Sequence, residues 1–237
     1  MRRRLTARWL GRQSYAPVHA LMERLFAERG AGRVGDTVLF IEHEPVITLG
    51  RGAHQENLLF PQEVLHARGV ELASTGRGGD VTLHAPGQLV CYPILDLAPD
   101  RCDVRRYVGD LRETMRKLAA EFGVAGGAAE GLIGLWVDAA RPSEWHGAEQ
   151  AQRLSKLGAI GVRISRWITM HGFAFNLTTD LSLYDLIVPC GISTHGVTSI
   201  EALTKAATTP RQAAPRAFEL LAGVLDAEAV EFTESEP

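Results

Sequence analysis

Lys156-Leu-Gly-Ala-Ile-Gly-Val-Arg-Ile-Ser-Arg-Trp-Ile-Thr-Met-His171-Gly-Phe-Ala-Phe-Asn176 is rich in β-branched and aromatic residues and breaks only near Ser165-Arg166. Such residues fit a pleated, half-buried surface, so the run predicts two strands joined by a short turn. Phe173, Phe175 and Leu177 fall at alternate positions and therefore share a face. Upstream, Thr37-Val-Leu-Phe-Ile41 and Val46-Ile-Thr-Leu49 read as short strands separated by Pro45. Residues 79–96 read as a strand, a turn at Ala85-Pro86-Gly87 and a second strand, and 131–137 is again β-rich.

Helices punctuate these strands. Leu21, Leu25 and Phe26 give a helical stripe over 14–29, and Pro61 suits the start of a helix near 61–68. The clearest helix spans 103–122, where Val104, Tyr107, Val108, Leu111, Met115, Leu118 and Phe122 recur every three or four residues before Gly123. A last helix covers about 211–225. Hairpins among helices predict an α/β fold of the α+β type, a mixed β-sheet flanked by helices and not a doubly wound parallel sheet.

Composition narrows the class. The 237 residues include 46% hydrophobic and 22% charged side chains, enough for a packed core, and no linker or repeat divides them, so residues 1–237 read as one catalytic-sized domain. A net charge of -3 gives no general attraction to nucleic acid or to an anionic membrane. No apolar run approaches the roughly 18 residues of a bilayer span. Cys91, Cys102 and Cys190 form neither a metal-ligand spacing nor a disulfide framework, which suits a reducing, cytoplasmic setting and predicts no metal. Arg2, Arg3, Arg4, Arg8 and Arg12 precede the first acidic residue, Glu23. That is a transit-peptide composition, but the helix expected from Ser14 leaves little room for one, so residues 1–12 read as a short basic arm.

Three runs carry chemistry. In Arg77-Gly-Gly-Asp-Val-Thr-Leu-His84 the two glycines let backbone approach a ligand closely, and the arginine supplies a fixed fork of donors. An isolated Gly78-Gly79 pair is as often a simple turn. Thr82 and His84 share a face of the following strand. His84 suits a general base, a donor to a carbonyl or a hydrogen-bonded core histidine, and taken alone the last is the commonest; His171 has the same alternatives. His43 and His54 have no comparable context. Cys190, between Pro189 and Gly191, has the setting of an exposed nucleophile, whereas Cys91 reads as a sheet residue and Cys102 as a surface thiol. Lys156 is a cation that could favour a thiolate, but a separation of 34 residues does not show proximity to Cys190.

Together these runs resemble the octanoyltransferases of lipoate biosynthesis, the lipoyl(octanoyl) transferases. The resemblance covers Glu42-His-Glu-Pro-Val-Ile-Thr-Leu-Gly-Arg51, Arg77 to Leu97, Gly134-Leu-Trp-Val137, Lys156 to Leu177 and Val188 to Ile192, in the family's order. It implies the fold of the biotin and lipoate protein ligases. It implies transfer of an octanoyl group from octanoyl-acyl carrier protein to a lysine of a lipoyl domain, through an acyl-thioester on Cys190 with Lys156 shuttling the proton. Arg77, Gly78, Gly79, Asp80, Val81, Thr82, Leu83 and His84 would line the acyl site with Ala159, Ile160, Gly161, Gly172, Phe173 and Ala174, and His171 would support it. No ATP, metal or other cofactor is expected. The partners implied are acyl carrier protein, the lipoyl domains of 2-oxoacid dehydrogenase E2 subunits and the glycine cleavage H protein, with Arg2 to Arg12, Arg105, Arg106 and Arg163 as candidates for a basic docking patch and a monomer as the default.

The chain departs from the family pattern at Leu83, Ala85 and Cys91, and residues 138–155 read as an insertion loop. Two alternatives carry other expectations. An ATP-dependent lipoate or biotin ligase of the same fold needs no covalent thiol, and a non-catalytic acyl-binding protein needs neither Cys190 nor Lys156.

Overall fold

The computed structural model describes residues 2–98, 100–188 and 195–234. The first strand, β1 (Arg3–Gln13), leads into α1 (Tyr15–Gly30), β2 (Asp36–His43) and β3 (Val46–Leu49). Then come α2 (Gln62–Ala67), β4 (Glu71–Ser74), β5 (Val81–His84), β6 (Gln88–Ile94) and α3 (Val104–Glu121). The chain continues through β7 (Gly127–Ala129), β8 (Leu132–Asp138), β9 (Leu154–Ser165) and β10 (Ile168–Asn176). It ends with β11 (Gly196–Val197), α4 (Ile200–Thr204), α5 (Pro210–Val224) and β12 (Ala227–Glu234).

Among the described residues the large sheet runs β12-β1-β2-β6-β10-β9-β8-β7, with β11 added beside β9. Pairings β1–β12, β1–β2 and β9–β11 are parallel and the rest antiparallel, so the sheet is mixed, as the hairpin pattern predicts. The β9–β10 hairpin turns at Arg166 and Trp167, one residue later than expected. Both take left-handed backbone, at φ 48° and 64°, the two-residue geometry that matches the twist of the strands.

Both faces of this sheet are covered. On one, Tyr107, Leu111, Met115 and Leu118 of α3 and Ala214, Ala217, Phe218 and Leu221 of α5 close over Phe40, Leu89, Phe173 and Phe175. Asp103 caps α3 by accepting from the backbone N–H of Arg105 and Arg106 at 2.8 and 3.0 Å, and Thr209 with Gln212 forms a capping box on α5. On the other face Val18, Met22 and Leu25 of α1 pack against Leu39, Ile41, Val90 and Met170. A second sheet, β4-β3-β5, builds its own core from Ile47, Leu65, Val81, Leu83, Leu186 and Ile187.

The basic-arm reading of the N-terminus is corrected. Arg3–Gln13 is an interior strand with neighbours on both sides. Leu5, Ala7 and Trp9 alternate into the main core. Three of the five arginines are held in ion pairs, Arg3 with Asp36 and with Asp100, Arg4 with Glu228 at 3.7 Å and Arg12 with Glu44 at 2.7 Å.

Of the 138–155 segment, the two ends belong to β8 and β9 and 139–153 is a loop that includes a short helical turn, Ala148–Gln150; its ends are drawn together by a single carboxylate. Asp138 Oδ1 accepts from the N–H of Ala140 and Arg153, and Oδ2 from the N–H of Gln152 and from Arg141 Nε, all at 3.0 Å. Burial works against ionisation of Asp138, but these four donors outweigh it and hold the carboxyl far below the usual range.

Candidate active site

Two adjoining cavities lie where the small sheet faces β9 and β10. The inner one is narrow, with a volume of about 40 Å³. Its walls are Thr48, Thr82 and His84 from the small sheet, and Ala159, Ile160, Gly161, His171, Gly172, Phe173 and Ala174 from the large one. The outer cavity has a volume of about 850 Å³ and is lined by Lys156, Asn57, Gly131, Leu132, Ile133 and Val162 among others. Gly79, Asp80, Ala159, Ile160 and Gly161 border both, so the two cavities adjoin.

The glycine loop is densely hydrogen-bonded. Gly50, Arg51 and Gly52 donate their N–H groups to the carbonyls of Asp80, Arg77 and Gly79 at 2.9–3.1 Å, which zips the loop to the end of β3. The Arg77 guanidinium is buried and clasps Thr48, with Nη2 donating to its carbonyl at 2.6 Å and to its hydroxyl at 3.0 Å. Asp80 receives the Asn57 amide at 2.5 Å and the His54 N–H at 3.0 Å. Gly161 must be small, because a Cβ there would lie 3.1 Å from Arg77 Cδ and 3.2 Å from the Gly78 carbonyl. The Gly78 N–H is committed to the Val162 carbonyl at 2.9 Å, which leaves it unsuited to binding an oxyanion.

Of the residues expected to line the acyl site, Val81 and Leu83 do not. They point into the small sheet's core, while Thr82 and His84, one position out of phase, face the cavity. The period of a strand is two, so a continuous run cannot supply one wall. Val104, assigned to the buried stripe of α3, is 46% exposed and edges the outer cavity with Val108.

Lys156 is buried at the outer cavity, its Nζ 4.9 Å from the centroid of the Trp136 ring on the paired strand. Gly134 opens the space beside it, since a Cβ at that position would meet the Gly158 carbonyl at 2.5 Å and Lys156 Cε at 3.6 Å. Cys190 lies outside the described residues. The chain on either side of it reaches the same cavity: Val188 donates its N–H to the carbonyl of Asn57 at 2.9 Å, His195 stacks edge-on against Trp136 at 5.8 Å, and Gly196 and Val197 pair with Ser155 and Lys156. Of the other two thiols, Cys91 is fully buried in β6, where burial pushes its pKa well up. Cys102 is exposed and lines neither cavity.

The sequence gives no hint of the aromatic and imidazole cluster behind the inner cavity. His43 Nδ1 faces the Gln13 carbonyl at 3.3 Å and its Nε2 faces Tyr92 Oη at 2.9 Å. These partners assign the proton to Nδ1 and make Tyr92 the donor. The rings of His43 and His84 lie 5.6 Å apart, those of Tyr15 and His43 5.4 Å, and those of Tyr92 and His171 6.0 Å. His84 Nδ1 donates to Gln88 Oε1 at 2.8 Å, and the Gln88 amide donates in turn to Asn176 Oδ1 at 2.9 Å. Burial first, then the neighbouring His43, hold the His84 pKa down at about 3 against the Gln88 hydrogen bond. Burial thus disfavours the charged imidazole, and the hydrogen bond to Gln88 fixes the orientation of the ring. No cluster of metal-ligating side chains occurs among the described residues, and no described helix is long and apolar enough to cross a membrane.

Residues 14–221 match the family model of the lipoyl protein ligase A/B catalytic domain. The chain is 46% identical over 197 residues to an octanoyltransferase from Myxococcus xanthus, covering 83% of this chain and 53% of that protein. It thus spans about half the length of that relative. An octanoyltransferase from Chloroflexus aggregans is 41% identical over 225 residues, covering 94% of this chain and 96% of the relative. The bi-partite lipoate protein ligase of Thermoplasma acidophilum shares the fold, with a TM-score of 0.70 at 14% identity over 100% of this chain and 88% of that one.

Proposed function

The chain belongs to the lipoyl protein ligase A/B catalytic-domain family and is an acyltransferase of its octanoyltransferase branch; from that premise we propose that it transfers octanoyl groups from octanoyl-acyl carrier protein to lysines of lipoyl domains through Cys190. The observation that carries this reading is the placement of Lys156 at the mouth of a narrow, partly apolar slot, with the chain on both sides of Cys190 returning to the same mouth.

The Cys190 thiol gives its proton to Lys156 and its sulfur attacks the donor carbonyl. A new C–S bond forms, the bond to phosphopantetheine breaks, and the departing sulfur takes the proton back from Lys156. Thiol replaces thiol, so the acyl group stays activated and no ATP is consumed. The neutral amine of the acceptor lysine then attacks the Cys190 thioester, the C–N bond forms, and Lys156 carries the amine's proton to the leaving thiolate. Ala159, Ile160, Phe173 and Ala174 offer the acyl chain apolar contact, at about 0.8 kcal/mol per buried methylene. The larger outer cavity leaves room for the phosphopantetheine arm in the first half-reaction and the acceptor lysine in the second.

The acceptors in this reading are the lipoyl domains of 2-oxoacid dehydrogenase E2 subunits and the glycine cleavage H protein, in the cytoplasm. Arg105 and Arg106, beside the exposed Val104 on the cavity rim, are the basic residues best placed to meet an acidic carrier. Arg163 is not, because Glu23 occupies it at 2.6 Å. Intact-protein mass after mixing with octanoyl-acyl carrier protein, without ATP, tests the proposal. One octanoyl adduct is expected, absent in Cys190→Ser. Acyl transfer that requires ATP and free octanoate would instead establish the ligase reading.

A further inference from the structure

Lys156 Nζ lies over the indole of Trp136, 4.9 Å from the ring centroid, inside the roughly 6 Å within which an aromatic face attracts a cation. The two residues stand opposite one another in the antiparallel β8–β9 pair, so sheet register brings them together. Trp136 is 1% exposed, and its indole N–H donates to the Leu132 carbonyl at 3.3 Å, which sets the tilt of the ring. His195 abuts it, with the two ring planes at 79°. Lys156 is anchored through its backbone as well. Its carbonyl accepts from the Thr198 N–H at 2.9 Å, and Val197 of β11 pairs with it on the side away from Trp136. The root of the side chain is thus held by two strands, and its tip rests on a ring.

A π face treats the two forms of an amine differently. Its quadrupole attracts the ammonium and offers little to the neutral amine, and tryptophan presents the strongest such face. In the acyl-transfer reading, Lys156 is neutral when it takes the Cys190 proton and cationic while the sulfur attacks. The attraction therefore grows as charge reaches Nζ, which is the condition for accelerating a step. The ring accepts no proton itself, so what Nζ takes up it can return to the departing thiolate.

We propose that Trp136 is a positioning residue for acyl transfer: its indole face holds Lys156 Nζ at the outer cavity and stabilises the ammonium formed there when Cys190 loses its proton. The inference rests on the acyl-transfer reading above, in which Lys156 moves that proton. Trp136 lines neither cavity, so it acts through Lys156 and not on the acyl group or its carrier.

The test replaces residue 136 alone by tryptophan carrying one, two or three ring fluorines. These draw negative charge from the π face and change the size of the ring little, so the fold is preserved. The readout is the single-turnover rate of octanoyl adduct formation from octanoyl-acyl carrier protein. The saturating rate should fall stepwise, by about three- to fivefold over the series, while the half-saturating carrier concentration stays within about twofold of wild type. In a Lys156→Met background the same series should leave the residual rate level. A saturating rate indifferent to the fluorines, or one that falls equally in the Lys156→Met background, overturns the proposal.

Placement is read separately. Lys117, Lys156 and Lys205 are the only lysines of the chain, and the first and last are exposed. In protein labelled with 13C at the lysine ε-carbons, the Lys156 methylene protons should stand apart, shifted upfield by the Trp136 ring current. Coincidence of all three lysine signals would also overturn the proposal. An upfield signal in a wild-type protein that forms no octanoyl adduct means that the acyl-transfer reading has failed and takes this role with it. Adduct formation that ignores the fluorines removes only the role of Trp136.

Discussion

Replacing Lys156 by methionine keeps an unbranched apolar stem against Trp136 and removes the amine, so the fold and the proton-transfer step are separable at one residue. The proposed mechanism uses the amine in both half-reactions. Loss of a positioned acid–base group commonly removes a factor of about 10² to 10⁴, and Lys156→Met should reduce kcat/KM by that range while the thermal midpoint stays close to wild type. Alkylation of Cys190 should slow near pH 7 and match wild type above about pH 9, where an ordinary thiol ionises unaided. Equal alkylation rates across the whole range would remove the electrostatic part of the Lys156 role. The residue scale also shows what the amino-acid string could convey. Thr82 and His84 were assignable to a shared face by alternation alone, and the same rule should have separated Val81 and Leu83 from them. His43 and Tyr92 were invisible as a pair because 49 positions separate them, and only the pairing of β2 with β6 brings them together.

At the scale of elements, one carboxylate governs the loop that delivers Lys156. Asp138 ends β8 and gathers the amides of Ala140, Gln152 and Arg153, the last of these immediately before β9, which brings Lys156 to the cavity. Asparagine at this position has one acceptor oxygen in place of two, so its amide nitrogen must face N–H donors. Asp138→Asn should therefore speed hydrogen exchange at Ala140, Gln152 and Arg153 roughly tenfold, since charge-assisted bonds are lost, with little change at the core amides of α3. Unchanged exchange at those three amides would show that the loop is held by other contacts. Elements with strong periodicity, α3 and the β9–β10 hairpin, were legible from sequence to within a residue or two. β1 was not, because its arginines dominate composition, although Leu5, Ala7 and Trp9 alternate beneath them. β12 was missed for a related reason: Glu228, Glu231 and Glu234 give the closing edge strand a polar, exposed character, and its pairing partner lies at the opposite end of the chain.

For the whole molecule, the buried imidazoles tie stability to pH. His43, His84 and His171 are folded into the space between the sheets and α1 with pKa values lowered to about 4, 3 and 3, in each case by burial above all. In the unfolded chain each returns to about 6.5. Well above pH 6.5 neither state binds these protons and the histidines exert no pH dependence. As pH falls below 6.5 the unfolded chain takes up three protons that the folded protein refuses, and stability drops by up to about 4 kcal/mol per pH unit until the folded-state values are reached. Asp138, whose pKa is lowered in the fold, adds its own loss once the pH falls through the ordinary value of an aspartate, about 4, so it acts at the acid end of the histidine window and below it. Set against a typical total of about 5 to 15 kcal/mol, the histidine effect is large enough to unfold the protein between about pH 6 and pH 4. Urea midpoints measured at half-unit steps from pH 8 to pH 5 should be level down to about pH 7 and then fall with steepening slope. His43→Gln, which can accept from Tyr92 without titrating, should lessen that slope by about a third. A wild-type midpoint that stayed level to pH 5 would mean that these histidines take up protons in the folded state.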